Sequence, residues 1–120
     1  MKFIKMHGLS NDFIMVDLRQ GGALPEKERI AALTNRKTGI GCDQFIPILP
    51  AKSDKADCFM RIFNAPDASE AEACGNATRC VADLLMRESG KETCVVETVA
   101  GYLNCSRADD GNITVDMGVP

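Results

Sequence analysis

The sequence lacks an excess of positive charge, a long hydrophobic run and any pair of closely spaced cysteines. Its 14 basic and 17 acidic side chains give a net charge of -3, so no global basic field exists to gather nucleic acid or an anionic membrane. Lysines interrupt the apolar residues of segment 1–7, which therefore has no signal-peptide core, and no later run is long enough to span a membrane. We therefore expect a cytoplasmic protein with neither a nucleic acid nor a membrane as partner.

Metal and nucleotide sites are also disfavoured. The chain has 6 cysteines but no C-x-x-C pair and only 1 histidine, which argues against a structural zinc site. Without an export signal we expect the cysteines to be reduced, and most of them to be small buried hydrophobes. No Lys-Ser/Thr follows the glycine loop 39–41, and Asp43 would place a carboxylate near a bound phosphate, which excludes a nucleotide site.

The residues that are present predict one mixed domain in which sheet dominates. A length of 120 residues with 45% hydrophobic content suffices for one core. Helices are predicted from Pro25 to about Asn35 and from about Cys74 to a cap at Gly90, with a short helical turn at Ser69, where Ser69-x-x-Glu72 has the spacing of a capping box. Apolar runs bounded by turn residues predict the strands, which are 3–6, 13–17, 45–49, 58–63 and a meander over 93–116.

The most informative segment is Cys74-Gly75-Asn76, where the longest predicted helix begins. The first N–H groups of a helix have no internal acceptors, so this position favours a thiolate and can bind an anion. Gly75 would leave its N–H open to a substrate carboxylate, and Asn76 could add an amide. The structural alternative, a buried cysteine followed by a capping Gly-Asn, remains open at this stage. Cys80 lies about 240° further round the helix and is predicted to be a core residue.

Three amide side chains form a second group of candidates. Asn11, Gln44 and Asn64 each lie at a strand end or in a loop that contains glycine. Uncharged amides are suitable partners for the carboxylate and ammonium groups of a zwitterion. Taken singly, each is equally typical of a turn or of the surface. His7 is interpreted as structural, because no cysteine or serine neighbours it in a nucleophile motif.

Three motifs are specific enough to indicate a family. They are segment 5–13, K-M-H-G-L-S-N-D-F, segment 38–44, T-G-I-G-C-D-Q, and segment 74–80, C-G-N-A-T-R-C. They resemble, in this order, the opening motif, the glycine loop and the signature around the first catalytic cysteine of one known family, diaminopimelate epimerase. Segment 66–69, P-D-A-S, stands where the family usually has D-G-S. The similarity extends from these motifs to the closing segments 97–101 and 117–120.

The resemblance implies an α+β fold, in which a curved, mainly antiparallel sheet wraps around a central helix. It also implies that residues 1–120 are the N-terminal domain of the enzyme, and that a second, similar domain is absent. The implied reaction is a two-cysteine epimerisation of LL-2,6-diaminopimelate to the meso form, in lysine and peptidoglycan-precursor biosynthesis. This reaction requires no pyridoxal phosphate or other cofactor and no metal.

By motif, Cys74 would be the first acid/base cysteine, and five residues would contact the substrate. These are Asn11, Gln44, Asn64, Gly75 and Asn76. The expected partners are the amino-acid substrate and either the missing C-terminal half or a second copy of the chain. Two alternatives stay open, namely a non-catalytic binding or scaffold domain of the same fold, and half of a related amino-acid racemase.

Overall fold

A computed structural model of the protein describes residues 3–7, 12–35, 39, 41–65, 67–71 and 75–116. Within these residues the chain forms 9 strands and 2 helices. They are β1 (Phe3–His7), β2 (Asp12–Asp17), α1 (Lys27–Thr34), β3 (Gln44–Leu49), β4 (Cys58–Met60), β5 (Ile62–Asn64), β6 (Ser69–Ala71), α2 (Gly75–Ser89), β7 (Thr93–Thr98), β8 (Gly101–Arg107) and β9 (Ile113–Asp116). No helix in these ranges is long and apolar enough to cross a membrane.

The strands form one mixed sheet in the order β1-β2-β3-β4-β7-β8-β9. Outside this order, β5 pairs with β3, and β6 pairs with β5. Two neighbouring pairs, β2 with β3 and β4 with β7, are parallel. All the other described pairs are antiparallel. The predicted α+β fold with a mainly antiparallel sheet is therefore confirmed.

Helix α2 belongs to the main core of the domain, to which every described strand contributes at least one apolar side chain. Ala77, Val81, Ala82, Leu85 and Met86 form the buried stripe of α2. The strand side chains that share its core include Ile4, Phe13, Ile46, Met60, Ile62, Ala71, Val96, Cys105 and Ile113. The prediction of a central helix is confirmed, and so is its cap, since Gly90 has a φ of 72° and its N–H donates to Met86 O at 2.9 Å.

Strands β2 and β3 are buried on both faces. Phe13 and Met15 of β2 face α2, whereas Ile14 and Val16 belong to a second core that includes Ile30 of α1. Successive side chains of a strand point to opposite faces, so a strand between two helical layers must be apolar throughout. This explains why segment 13–16 shows no polar alternation.

Two local predictions need correction. The single strand predicted over 58–63 is broken at Arg61 into β4 and β5, although both keep one register against β3. The break lies opposite Pro47, which accepts from Arg61 N–H at 3.2 Å but has no N–H to return the bond. The helical turn predicted at Ser69 is wrong, because Ser69 begins strand β6 and pairs with Asn64.

Candidate functional site

Two of the predicted substrate-binding amides are in direct contact. Gln44 is the first residue of β3 and Asn64 is the last residue of β5, and the antiparallel register places them opposite each other. Gln44 Nε2 donates to Asn64 Oδ1 over 2.9 Å, and the pair is partly buried. Two residues that lie 20 positions apart in the chain thus form one hydrogen-bonded amide pair at the ends of two adjacent strands.

Asp43, which was not among the predicted site residues, forms hydrogen bonds to the chain segments that flank this pair. Its Oδ2 accepts from Asp12 N–H at 2.9 Å, and its own N–H donates to Asp12 O at 3.1 Å. Its carbonyl oxygen accepts from Ala65 N–H at 2.9 Å. The start of β2, the start of β3 and the end of β5 therefore meet at one residue. Its position directly before Gln44 in the G-x-D-Q loop was the only sequence signal for this role.

Removal of the Asp43 carboxylate should loosen this junction. We expect Asp43→Ala to lower the free energy of unfolding by about 1–3 kcal/mol, because the bond from Asp12 N–H to a charged acceptor is lost. Hydrogen exchange of the Asp12 amide should accelerate at least about fivefold, since a change of about 1 kcal/mol corresponds to that factor. Asp43→Asn is the matched control, because its side-chain oxygen can still accept the bond. Unchanged protection of the Asp12 amide in Asp43→Ala would contradict this role.

The glycines of the loop before Asp43 pack closely against the backbone at the end of α1. A Cβ on Gly39 would lie 2.2 Å from Ala32 O, so any side chain there would displace the end of the helix. Gly41 adopts a φ of 83° and its N–H donates to Leu33 O at 3.1 Å. Both glycines therefore close the C-terminal end of α1, a role unrelated to phosphate binding.

The remaining candidates lie at the start of α2. Gly75 is the first helical residue and is exposed, and a Cβ built on it would meet only the end of the Arg79 side chain, at 3.6 Å, among the described residues. Asn76 Oδ1 accepts from Arg79 Nη1 at 3.1 Å, so its amide is held within its own helix. Asn11 and Cys74 lie outside the described residues. They directly precede Asp12 and Gly75 in the chain.

The other five cysteines lie in structural positions and form no disulfide with one another. Cys42, Cys58, Cys94 and Cys105 are buried, as expected for small hydrophobes. Cys80 is half-buried and packs against the core around α2. Burial raises the pKa of the Cys58 thiol to about 12, which keeps it neutral and unreactive.

Solved structures with the same fold include isomerases of amino acids. Residues covering 94% of this chain superpose on 40% of a hydroxyproline epimerase from Agrobacterium vitis, with a TM-score of 0.69 at 17% identity. A PhzF-family phenazine biosynthesis protein from Bacillus anthracis matches 96% of this chain and 40% of its own, with a TM-score of 0.60 at 24% identity. At identities this low the similarity shows only that the chain has the same fold as these two proteins.

The sequence comparisons identify the family. The family model for diaminopimelate epimerase matches residues 3–120. A protein named diaminopimelate epimerase from Rhodospirillum centenum is 49% identical over 117 residues, which are 98% of this chain and 40% of the relative. The chain belongs to the diaminopimelate epimerase family, and it spans about two fifths of the length of the curated relatives it matches.

Proposed function

We propose that this chain is the N-terminal catalytic half of a diaminopimelate epimerase that acts in the cytoplasm. In this proposal residues 1–120 form one domain and a second, similar domain completes the enzyme. The reaction is the cofactor-independent epimerisation of LL-2,6-diaminopimelate to the meso form, in lysine and peptidoglycan-precursor biosynthesis. The observation that carries the proposal is the hydrogen-bonded pair of Gln44 and Asn64, which joins two of the family's substrate-binding positions across separate strands.

The proposed substrate site lies between this amide pair and the start of α2. Gln44 and Asn64 would bind the polar groups at the α-carbon. Asn11 would also contact the substrate. It directly precedes Asp12, whose N–H donates to Asp43, the residue next to Gln44. Gly75 and Asn76 would present the N-terminal N–H groups of α2 to the substrate carboxylate. The positive end of the helix dipole would then stabilise the negative charge that develops when the α-proton leaves.

Cys74 is the proposed first acid/base group. Its thiolate would remove the α-proton, and a second thiol on the opposite face would deliver a proton to the carbanion. A thiolate is a far weaker base than this carbanion, so a water-excluding site and fixed dipoles must lower the barrier. We assign the second thiol to the other half of the enzyme, because Cys42, Cys58, Cys94 and Cys105 are buried in the cores of this half and Cys80 packs half-buried against the core around α2.

The exposed glycine at the start of α2 offers a test that separates binding from folding. The packing of the described residues does not require a glycine at position 75, since an added Cβ would make only an ordinary contact with Arg79. We therefore expect Gly75→Ala to leave the free energy of unfolding within about 1 kcal/mol of the parent. In the intact enzyme it should raise KM for diaminopimelate at least about tenfold, because the methyl group obstructs the carboxylate. An unaltered KM would remove Gly75 from the proposed substrate site.

The function itself is tested by isotope exchange. The intact protein is incubated with LL-diaminopimelate in deuterated water, and both deuterium at the α-carbon and formation of the meso isomer are measured. We expect both for the intact protein and neither for the 1–120 chain alone. Failure of the intact protein to exchange would contradict the proposed function. Stereoinversion at enzymatic rates by the 1–120 chain alone would contradict the placement of the second thiol in the other half.

A scaffold domain of the same fold would use Cys74 structurally, and thiol reactivity distinguishes the two roles. If the start of α2 and the site activate Cys74, iodoacetamide should alkylate it at a lower pH than any other cysteine. Cys58, with a pKa of about 12, should remain unmodified at pH values near 9 in the folded protein. Peptide mapping across a pH series measures both. Equal reactivity of Cys74 and Cys58 would favour the scaffold role.

A further inference from the structure

An ion pair joins the two strands of the hairpin that carries Asn64. Arg61 directly precedes β5, and Glu70 is the middle residue of β6. Arg61 Nε donates to Glu70 Oε2 and Arg61 Nη2 donates to Glu70 Oε1, each at 2.8 Å. A guanidinium that binds both oxygens of a carboxylate fixes the orientation of the two groups as well as their distance. The pair therefore restrains β6 against the start of β5.

The aromatic ring of Phe63 anchors this ion pair. Phe63 is directly opposite Glu70 in the antiparallel register, and the Arg61 guanidinium lies over its ring at 5.0 Å from the centroid, which is a cation–π contact. The three side chains line one cavity of about 310 Å³ beside Ile30 of α1, so they lie on the same face of the hairpin. Phe63 is only 7% exposed and packs in the core with Ile30. The ion pair is thus attached to a core side chain.

The hairpin restrained in this way carries the Asn64 side chain. Asn64 is the last residue of β5, pairs with Ser69 of β6, and accepts at its carbonyl oxygen from Ala68 N–H at 2.8 Å. Strands β5 and β6 have only three residues each, and β6 pairs with no other described strand. A two-stranded hairpin is marginally stable by itself, so a contact between its side chains has a large effect on it. The contact of Asn64 with Gln44 therefore depends on this hairpin.

We propose that Arg61 and Glu70 are positioning residues of the substrate site, which hold the β5–β6 hairpin so that Asn64 stays in contact with Gln44. This inference rests on the proposed function, because that function assigns Asn64 to substrate binding. Neither charged side chain contacts the substrate. The hydrogen bonds from Arg61 lower the pKa of Glu70 below its usual value, so the ion pair persists at neutral pH.

Reversal of the two charges in the intact enzyme tests the proposal. In Arg61→Glu and in Glu70→Arg like charges face each other, so we expect KM for LL-diaminopimelate to rise at least about fivefold and kcat to stay within about twofold. The double variant should return KM to within about twofold of the parent, because an arginine at position 70 lies opposite Phe63 and can cover the same ring. A merely structural role would lower the amount of folded enzyme, which reduces the apparent kcat but does not alter KM.

Hydrogen exchange measures the hairpin without any substrate. The amides of Ala65 and Ala68 donate to Asp43 O and Asn64 O, and both should exchange at least about fivefold faster in each single variant and at the parental rate in the double variant. The amide of Leu85 in the middle of α2 should not change and serves as the control.

Glu70→Ala removes the ion pair without creating repulsion and provides the same test should a reversal variant not fold. We expect it to raise KM at least about threefold and to accelerate the exchange of Ala65 and Ala68. An unchanged KM in folded Glu70→Ala, or a KM that the double variant does not restore, would overturn the proposal. If the parent protein shows no epimerisation, the proposed function fails, and equal exchange of Ala65 and Ala68 in the parent and Glu70→Ala would then overturn the positioning role separately.

Discussion

Replacing Cys74 with alanine is expected to abolish deuterium exchange at the α-carbon of diaminopimelate in the intact enzyme. General acid–base groups contribute about 10²–10⁴-fold to rates, and here the residue is also the sole proposed base on its face of the substrate. We expect kcat/KM to fall by at least about a thousandfold for LL-diaminopimelate, with little change in the free energy of unfolding. The measurement is the initial rate of deuterium incorporation for each enzyme at matched concentration.

Cys80 provides the matched control on the same helix. It is half-buried, packs against the core around α2, and lies six positions further along the chain. Cys80→Ala should therefore keep kcat/KM within about threefold of the parent and show its effect, if any, on stability. If Cys74→Ala retained a tenth of the parental rate while Cys80→Ala lost a thousandfold, the assignment of the first thiol would be wrong.

Replacing Ala68 with valine is expected to destabilise the protein by about 2–4 kcal/mol. Ala68 has a φ of 59°, which is the only positive value among the non-glycine residues the structure describes. A β-branched side chain is strongly disfavoured in this left-handed region. The residue is also only 1% exposed and packs in the core beside α1, so the added methyl groups have no space. Urea unfolding of the intact protein measures the loss.

The matched variant is Ala68→Gly, which restores the residue usual in the family. Relief of the left-handed conformation should gain about 1 kcal/mol, and loss of one buried methyl group should cost about 0.8 kcal/mol. The net change should therefore stay within about 1 kcal/mol of zero. Because Ala68 N–H donates to Asn64 O at 2.8 Å, valine at this position should also disturb the amide pair. A valine variant as stable as the glycine variant would show that the turn tolerates both.

The local signals in the sequence were sufficient for most of the elements. The 3.6-residue period of Ala77, Val81 and Leu85 located α2, and Gly90 marked its end, because these features depend only on nearby residues. The strand ends at Gln44 and Asn64 were also predicted from flanking turn residues. The helical turn predicted at Ser69 is wrong because a tertiary contact overrides the local preference. A capping-box spacing is a weak preference, and pairing of Ser69 with Asn64 in the sheet overrides it.

The candidate site was only partly predictable for the same reason. The position at the start of the longest helix and the family motif both selected Cys74, Gly75 and Asn76, but no local pattern could show that Gln44 and Asn64 hydrogen-bond to each other. That contact depends on the register of β3 against β5, which the pairing of Phe45 with Phe63 maintains. The sequence around Asp43 indicates only that its carboxylate would disfavour a phosphate, because its partner Asp12 lies 31 positions away in the chain.

The sequence by itself determined the family, the order of the main elements and the thiol proposed for proton transfer, because these are recorded in short motifs and local periodicities. The tertiary structure alone decided which distant residues meet. It placed Asp43 at the junction of three strand ends and brought Arg61 into contact with Glu70. It also put Ala68 into a left-handed turn beside Asn64. The physical reason is that strand register and backbone conformation are fixed by the burial of whole faces, which no short segment of the chain specifies.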